Sequence, residues 1–81
     1  MLGLNELSVG QRATVRGFRA SERSYRQKLL AMGITPGVVI TLTRVAPLGD
    51  PVELAVRGYA VSLRKAEAAV VLIEPLEEIG T

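Results

Sequence analysis

Along Arg12–Phe18, Ala13, Val15 and Gly17 fall on one side of the chain and Arg12, Thr14 and Arg16 on the other. That is the period of a strand with one buried face. A glycine inside such a run predicts a bend or a close backbone approach. Ahead of it, Leu4-Asn5-Glu6-Leu7-Ser8-Val9-Gly10 reads as a leading segment that closes in a turn. Over residues 24–33 the period becomes helical. Tyr25, Leu29 and Met32 lie within about 60° of one another at 100° per residue and form the core-facing stripe. Ser24-Tyr25-Arg26-Gln27 fits a capping box, with serine as the N-cap. Gly33 sits where a left-handed residue ends a helix, and Ile34 is placed to touch Leu29 in a Schellman closure. Leu30 falls about 100° further round, beside Arg26. Either the buried arc is wide enough for both leucines, or Leu30 faces outward.

Thr35-Pro36-Gly37-Val38 has the residues of a type II turn. Val38–Ala46 is then a long β-branched strand. Pro47-Leu48-Gly49-Asp50-Pro51 connects it to Val52–Val56, whose clean alternation predicts antiparallel pairing. Gly58 interrupts, Ala60–Leu63 is another short strand, and Arg64–Ala68 reads as one helical turn. Val70–Glu74 is the last strand, stopped by Pro75. The expected fold is mainly β: a small SH3-like five-stranded barrel, with one short α-helix after the first strand and a helical turn before the last. Closure removes exposed strand edges. An open α+β roll is the alternative. The domain expectation is a single unit over residues 1–81, with a core at about 4–74 and an acidic tail at 75–81.

Composition narrows the chemistry. The 81 residues include no cysteine and no histidine. Disulfides, thiolate metal sites, cysteine nucleophiles and imidazole bases or ligands are thereby excluded. Ser21, Ser24 and Ser62 have no base to activate them. Glu53 and Asp50 read as a strand glutamate and a turn aspartate, not as an acid–base pair. No phosphate-binding G-x-x-x-x-G-K-[ST] loop occurs. The expectation is therefore no enzyme, no cofactor and no metal site. No apolar run is long enough to span a bilayer, and the first residues do not read as a signal peptide, so a cytoplasmic protein is expected.

The formal net charge of +2 hides an asymmetry. Residues 1–65 carry ten Lys/Arg against four Asp/Glu, and residues 66–81 carry four Glu and no base. Arg12, Arg16, Arg19, Arg23, Arg26 and Lys28 form a cluster that could track phosphates. Phe18, Tyr25 and Tyr59 are the only aromatics, few for a single-strand binder that stacks bases. A basic nucleic-acid-binding domain is kept as the alternative, although nucleic acid is not the expected partner.

Three segments carry a family resemblance. Tyr25-Arg26-Gln27-Lys28-Leu29-Leu30-Ala31-Met32-Gly33-Ile34-Thr35-Pro36-Gly37, Arg44–Val52, and Ser62-Leu63-Arg64-Lys65 followed by Glu67-Ala68 resemble the helix-and-turn, hairpin and closing turn of the FeoA family. The likeness spans about residues 4–74. It implies a cytosolic SH3-like accessory of the FeoB ferrous iron transporter, acting by contact with the transporter's cytosolic region, of which the G-domain is one candidate element. Recruitment to the inner face of the inner membrane would follow. A self-associating scaffold for transporter assembly, or a weak homo-oligomer, is the further option. A chain without His or Cys would carry iron poorly, because carboxylates hold Fe²⁺ loosely.

Gly33, Pro36, Gly37, Gly49, Asp50 and Pro51 are assigned to turn architecture. Partner contacts are expected on side chains that the barrel does not need. These are Arg26 and Leu30 on the helix flank, Leu48 at the hairpin tip, and Arg64 and Lys65 at the last turn. Together they would make a small apolar contact rimmed by bases.

Overall fold

The computed structural model describes residues 2–20 and 23–76. Its elements are β1 (Leu2–Gly3), a 3₁₀ turn (Leu4–Glu6), β2 (Arg12–Phe18), α1 (Arg23–Ala31), β3 (Val39–Val45), β4 (Val52–Val56), β5 (Tyr59–Leu63), α2 (Lys65–Val70) and β6 (Val71–Pro75). The strands form one antiparallel sheet in the order β1-β6-β2-β3-β4-β5. Alternate residues of the strands, including Ala13, Val15, Ile40, Leu42, Leu54, Val56, Leu63 and Ile73, join a single buried cluster. A flat sheet would hold its two ends too far apart for this, so the sheet curls round its core. The architecture is the mainly β one expected, with six strands in place of five. The added strand is β1, whose two residues pair with Ile73 and Leu72 of β6. Two residues carry no alternation to read.

Gly17 marks a bend. The β2–β6 register slips between Val15 and Gly17, leaving Arg16 as the extra residue. A second slip lies between Leu42 and Arg44 on β3. Leu29 and Ile34 are fully buried, and Tyr25 and Met32 pack against the same core. The helix closes as a complete Schellman motif: Ile34 N–H donates to Leu29 O at 3.0 Å and Gly33 N–H to Leu30 O at 3.0 Å. Gly33 has φ +89°, and Tyr59 Oη lies 3.2 Å from where a Cβ would stand. Both the helix stop and the approach of β5 therefore need glycine here.

Two local expectations are corrected. Ser24 is not the N-cap: α1 already includes Arg23, which puts Ser24 inside the helix. The turn before the last strand is longer than expected. It runs to Val70, with Ala68 and Val70 both buried, before the chain extends at Val71. Of the two options left open for Leu30, the outward one holds, for Leu29 is fully buried and Leu30 is 37% exposed. The expected acidic tail over 75–81 lies outside the described residues from 77 onward.

Candidate functional site

The connection between β3 and β4 is built to hold its tip in place. Gly49 N–H donates to Ala46 O at 2.7 Å, closing a turn over Pro47 and Leu48, and Ala46 N–H donates to Pro51 O at 3.0 Å. The Asp50–Pro51 peptide is cis. Leu48 stands on this frame with 92% of its surface exposed, more than any other large apolar side chain described. The other exposed leucines, Leu2, Leu30 and Leu76, show no more than 42% of their surface. An isolated exposed leucine is ordinary, but the next residue along the hairpin, Gly49, lines an apolar cleft. The cleft, of about 240 Å³, is lined by Leu4, Leu7, Leu42, Val45 and Val52, with Lys65 at its edge.

The other flank of the hairpin meets the start of α2. Asp50 Oδ1 accepts the Lys65 N–H at 3.1 Å. Glu67 Oε1 accepts the Arg64 N–H at 2.8 Å, the N3-to-N-cap half of a capping box. Lys28 Nζ reaches across from α1 to Glu67 Oε2 at 2.6 Å. Two backbone amides at the start of α2 are thus satisfied by side chains, one of them from the hairpin. Glu67 is 4% exposed. Burial alone would push its carboxyl upward. The hydrogen bond from Lys28, the Arg64 amide and the charges of Lys28 and Arg64 outweigh that, so the group lies below the usual carboxylate range. A cleft of about 380 Å³ opens here between Lys28, Asp50, Ser62, Arg64 and Glu67.

The structure gathers Leu48, Arg64 and Lys65 around the hairpin and α2. Arg64 borders the polar cleft and Lys65 the apolar one. Arg26 belongs elsewhere: its guanidinium lies 6.0 Å above the Phe18 ring, beside Arg19 and Arg23. Leu30 is exposed on the same helix. Gly33, Gly37 and Gly49 all have positive φ, as their turn roles require. Asp50 does more than turn the chain, because it also anchors α2. Sequence reasoning passed over Lys28 and Glu67 as a pair. The Glu three residues after Arg64 was the available sign, since that spacing lets a carboxylate reach back to the first amide of a helix. Among the described residues no group of three or more His, Cys, Asp or Glu is placed to hold a metal ion.

The FeoA domain profile matches residues 2–75. The chain belongs to the FeoA family. It is 37% identical over 79 residues to a fusion protein from Porphyromonas gingivalis described as Fe(2+) transport protein A/Fe(2+) transporter FeoB, covering 96% of this chain and 9% of that relative. It thus spans about a tenth of the length of that curated relative. Among solved structures, a FeoA-like protein from Clostridium acetobutylicum matches with TM-score 0.87 and 41% identity, covering 99% of this chain and 92% of that one. FeoA from Stenotrophomonas maltophilia, solved with zinc and described as an SH3 domain protein, matches with TM-score 0.80 and 22% identity, covering 91% of each chain. That likeness shows the fold and places this FeoA domain among SH3-like proteins. No helix in the described part is long and apolar enough to cross a membrane.

Proposed function

We propose that this chain is a cytosolic, non-catalytic accessory of a FeoB-type transporter in ferrous iron transport, working by contact with the transporter's cytosolic region. The observation that carries the reading is the relative in which a FeoA protein and FeoB are one polypeptide. Fusion brings two partners to high effective concentration, which is useful when they act on each other.

The contact surface is Leu48 with the apolar cleft beside it, rimmed by Arg64 and Lys65. Leu48 supplies an apolar anchor, the cleft takes a second one from the partner, and the bases select a segment carrying acidic residues. The iron is the transporter's cargo. A chain with neither His nor Cys lacks the softer ligands that favour tight transition-metal binding. Anaerobic Fe²⁺ titration by calorimetry should therefore reveal no stoichiometric submicromolar site, and such a site would overturn this division of labour.

The test of the contact is a pull-down of the transporter's soluble G-domain, with and without nucleotide. The wild-type chain should be retained, while Leu48→Glu and Arg64→Glu should fold normally and be retained poorly. Normal retention of both variants would remove the surface. Failure of the wild type would remove the G-domain as the contacted element. Self-association through Leu48 and the same cleft is the second reading, and sedimentation over a concentration series separates it from a monomeric adaptor.

A further inference from the structure

The bases of residues 12–28 share no single role. Arg16 pairs with Glu74 at 3.3 Å, across the sheet. Lys28 is bound to the buried Glu67. Arg19, Arg23 and Arg26 instead converge, with Phe18 and Ala20, on a cleft of about 350 Å³. No carboxylate among the described residues lines it.

Two of the three guanidiniums are already engaged. Arg19 is anchored through Nε, which donates to Ala69 O at 3.0 Å, with its Nη2 beside Gly3, so it adds its charge to the cleft wall. The Arg26 guanidinium lies over the Phe18 ring, 6.0 Å from its centre, within reach of a cation–π contact. A planar guanidinium fork matches the tetrahedral oxygens of a phosphoryl group through paired N–H···O bonds. The cleft has the volume of a small-ligand site. Like charges that line one cleft repel one another, and a dianion between them relieves that repulsion.

We infer that the Phe18–Arg19–Arg23–Arg26 cleft is a receptor for a phosphoryl oxyanion, separate from the Leu48 surface. The phosphoryl group can come from a soluble phosphate or from the headgroup of an anionic phospholipid. The chemistry at the cleft is the same in either case: hydrogen bonds from the Arg26 guanidinium, supported by the charges of Arg19 and Arg23. The inference does not depend on the proposed transporter contact, because neither Leu48 nor Lys65 takes part.

The full chain is titrated with inorganic phosphate at constant ionic strength, following the Arg Nε–H and backbone amide NMR signals. In parallel it is sedimented with vesicles of phosphatidylcholine alone and of phosphatidylcholine with a quarter phosphatidylglycerol. A soluble source gives saturable shifts confined to residues 18–26, weakened at least tenfold in Arg23→Gln/Arg26→Gln. A headgroup source gives binding to the anionic vesicles that the same double variant abolishes. In both arms Arg16→Gln, which removes a base outside the cleft, stays within twofold of wild type. The inference is overturned if neither probe binds. It is equally overturned if binding survives the double variant or falls as much in Arg16→Gln, since the attraction would then be diffuse charge. Thermal unfolding confirms that the variants remain folded.

Discussion

Two hairpins leave β4, one at each end, and they could hardly differ more. The β4–β5 connection uses two residues, Arg57 at φ 49° and Gly58 at φ 89°. Positive φ at both central positions lets a two-residue turn follow the natural twist of its strands. The β3–β4 connection spends six, Ala46 to Pro51, on a turn that also projects an exposed leucine and sends an aspartate to α2. Both solve the same problem of reversing an antiparallel pair. The residues beyond the minimum are where a task other than reversal is written. Among the described residues, the longer hairpin is the one tied to a helix by a side-chain hydrogen bond, from the Lys65 amide to Asp50, and α2 is tied in turn to α1 through Glu67 and Lys28.

The sharpest way to break this contrast is to remove the buttress. Glu67→Ala leaves the Arg64 amide without its partner and frees a half-exposed Lys28. It should cost about 2 kcal/mol in urea unfolding, and hydrogen exchange should quicken in α2 and at Ala46–Pro51 while the Arg57–Gly58 turn stays as protected as before. Next in size is Leu48→Glu. It should weaken binding to the transporter's cytosolic region at least tenfold, about 1.4 kcal/mol, without lowering Tm, whereas Arg57→Glu should leave binding within twofold. A matched glycine pair is subtler. Gly49→Ala and Gly58→Ala each force alanine into a positive-φ position, with nothing closer than 4.0 Å to the new methyl. Each should lose about 1 kcal/mol of stability, yet only Gly49→Ala should also weaken binding, because it alone shifts the frame of Leu48. Equal binding losses from the two would erase the distinction between the hairpins.

The smallest effect is one of pH. The Glu67 carboxyl lies below its ordinary range, so between the folded and unfolded values the folded chain carries fewer protons. Its contribution is complete above the usual glutamate range and fades as pH falls from about 5 through the lowered folded value. Wild type minus Glu67→Gln, measured by urea unfolding at stepped pH, should show this slope. A flat difference would mean that Lys28 and Glu67 do not interact in solution.

What the residue pattern announced was whatever neighbours in sequence decide. The Gly33–Ile34 closure depends on residues within one turn of α1, and β2 and β4 depend on a two-residue period, so all were legible. The resemblance carried over three local motifs for the same reason. Lys28 and Glu67 stand far apart along the chain, and their meeting depends on how α1 and α2 lie across the sheet. No local period records that. The sorting of the bases was equally hidden. Arg16, Arg26 and Lys28 look alike as a run of charge, and only the folded chain gives one to Glu74, one to Phe18 and one to Glu67. Leu30 lay between: the helical wheel put it off the stripe, and only the packing decided that it stays outside.

The frame beneath Leu48 also bears on time. Pro47 has φ set by its ring, and the bonds from Gly49 and Ala46 hold the backbone on either side. A partner arriving at this tip has little chain to order, about 0.5–1 kcal/mol for the rotamers of one leucine. Capture should therefore proceed at the pace of diffusion and orientation, without waiting for a loop to find its shape. Substitutions of Leu48 would then shorten how long a complex lasts far more than they slow its formation, and a change in the grip would be felt as a change in lifetime.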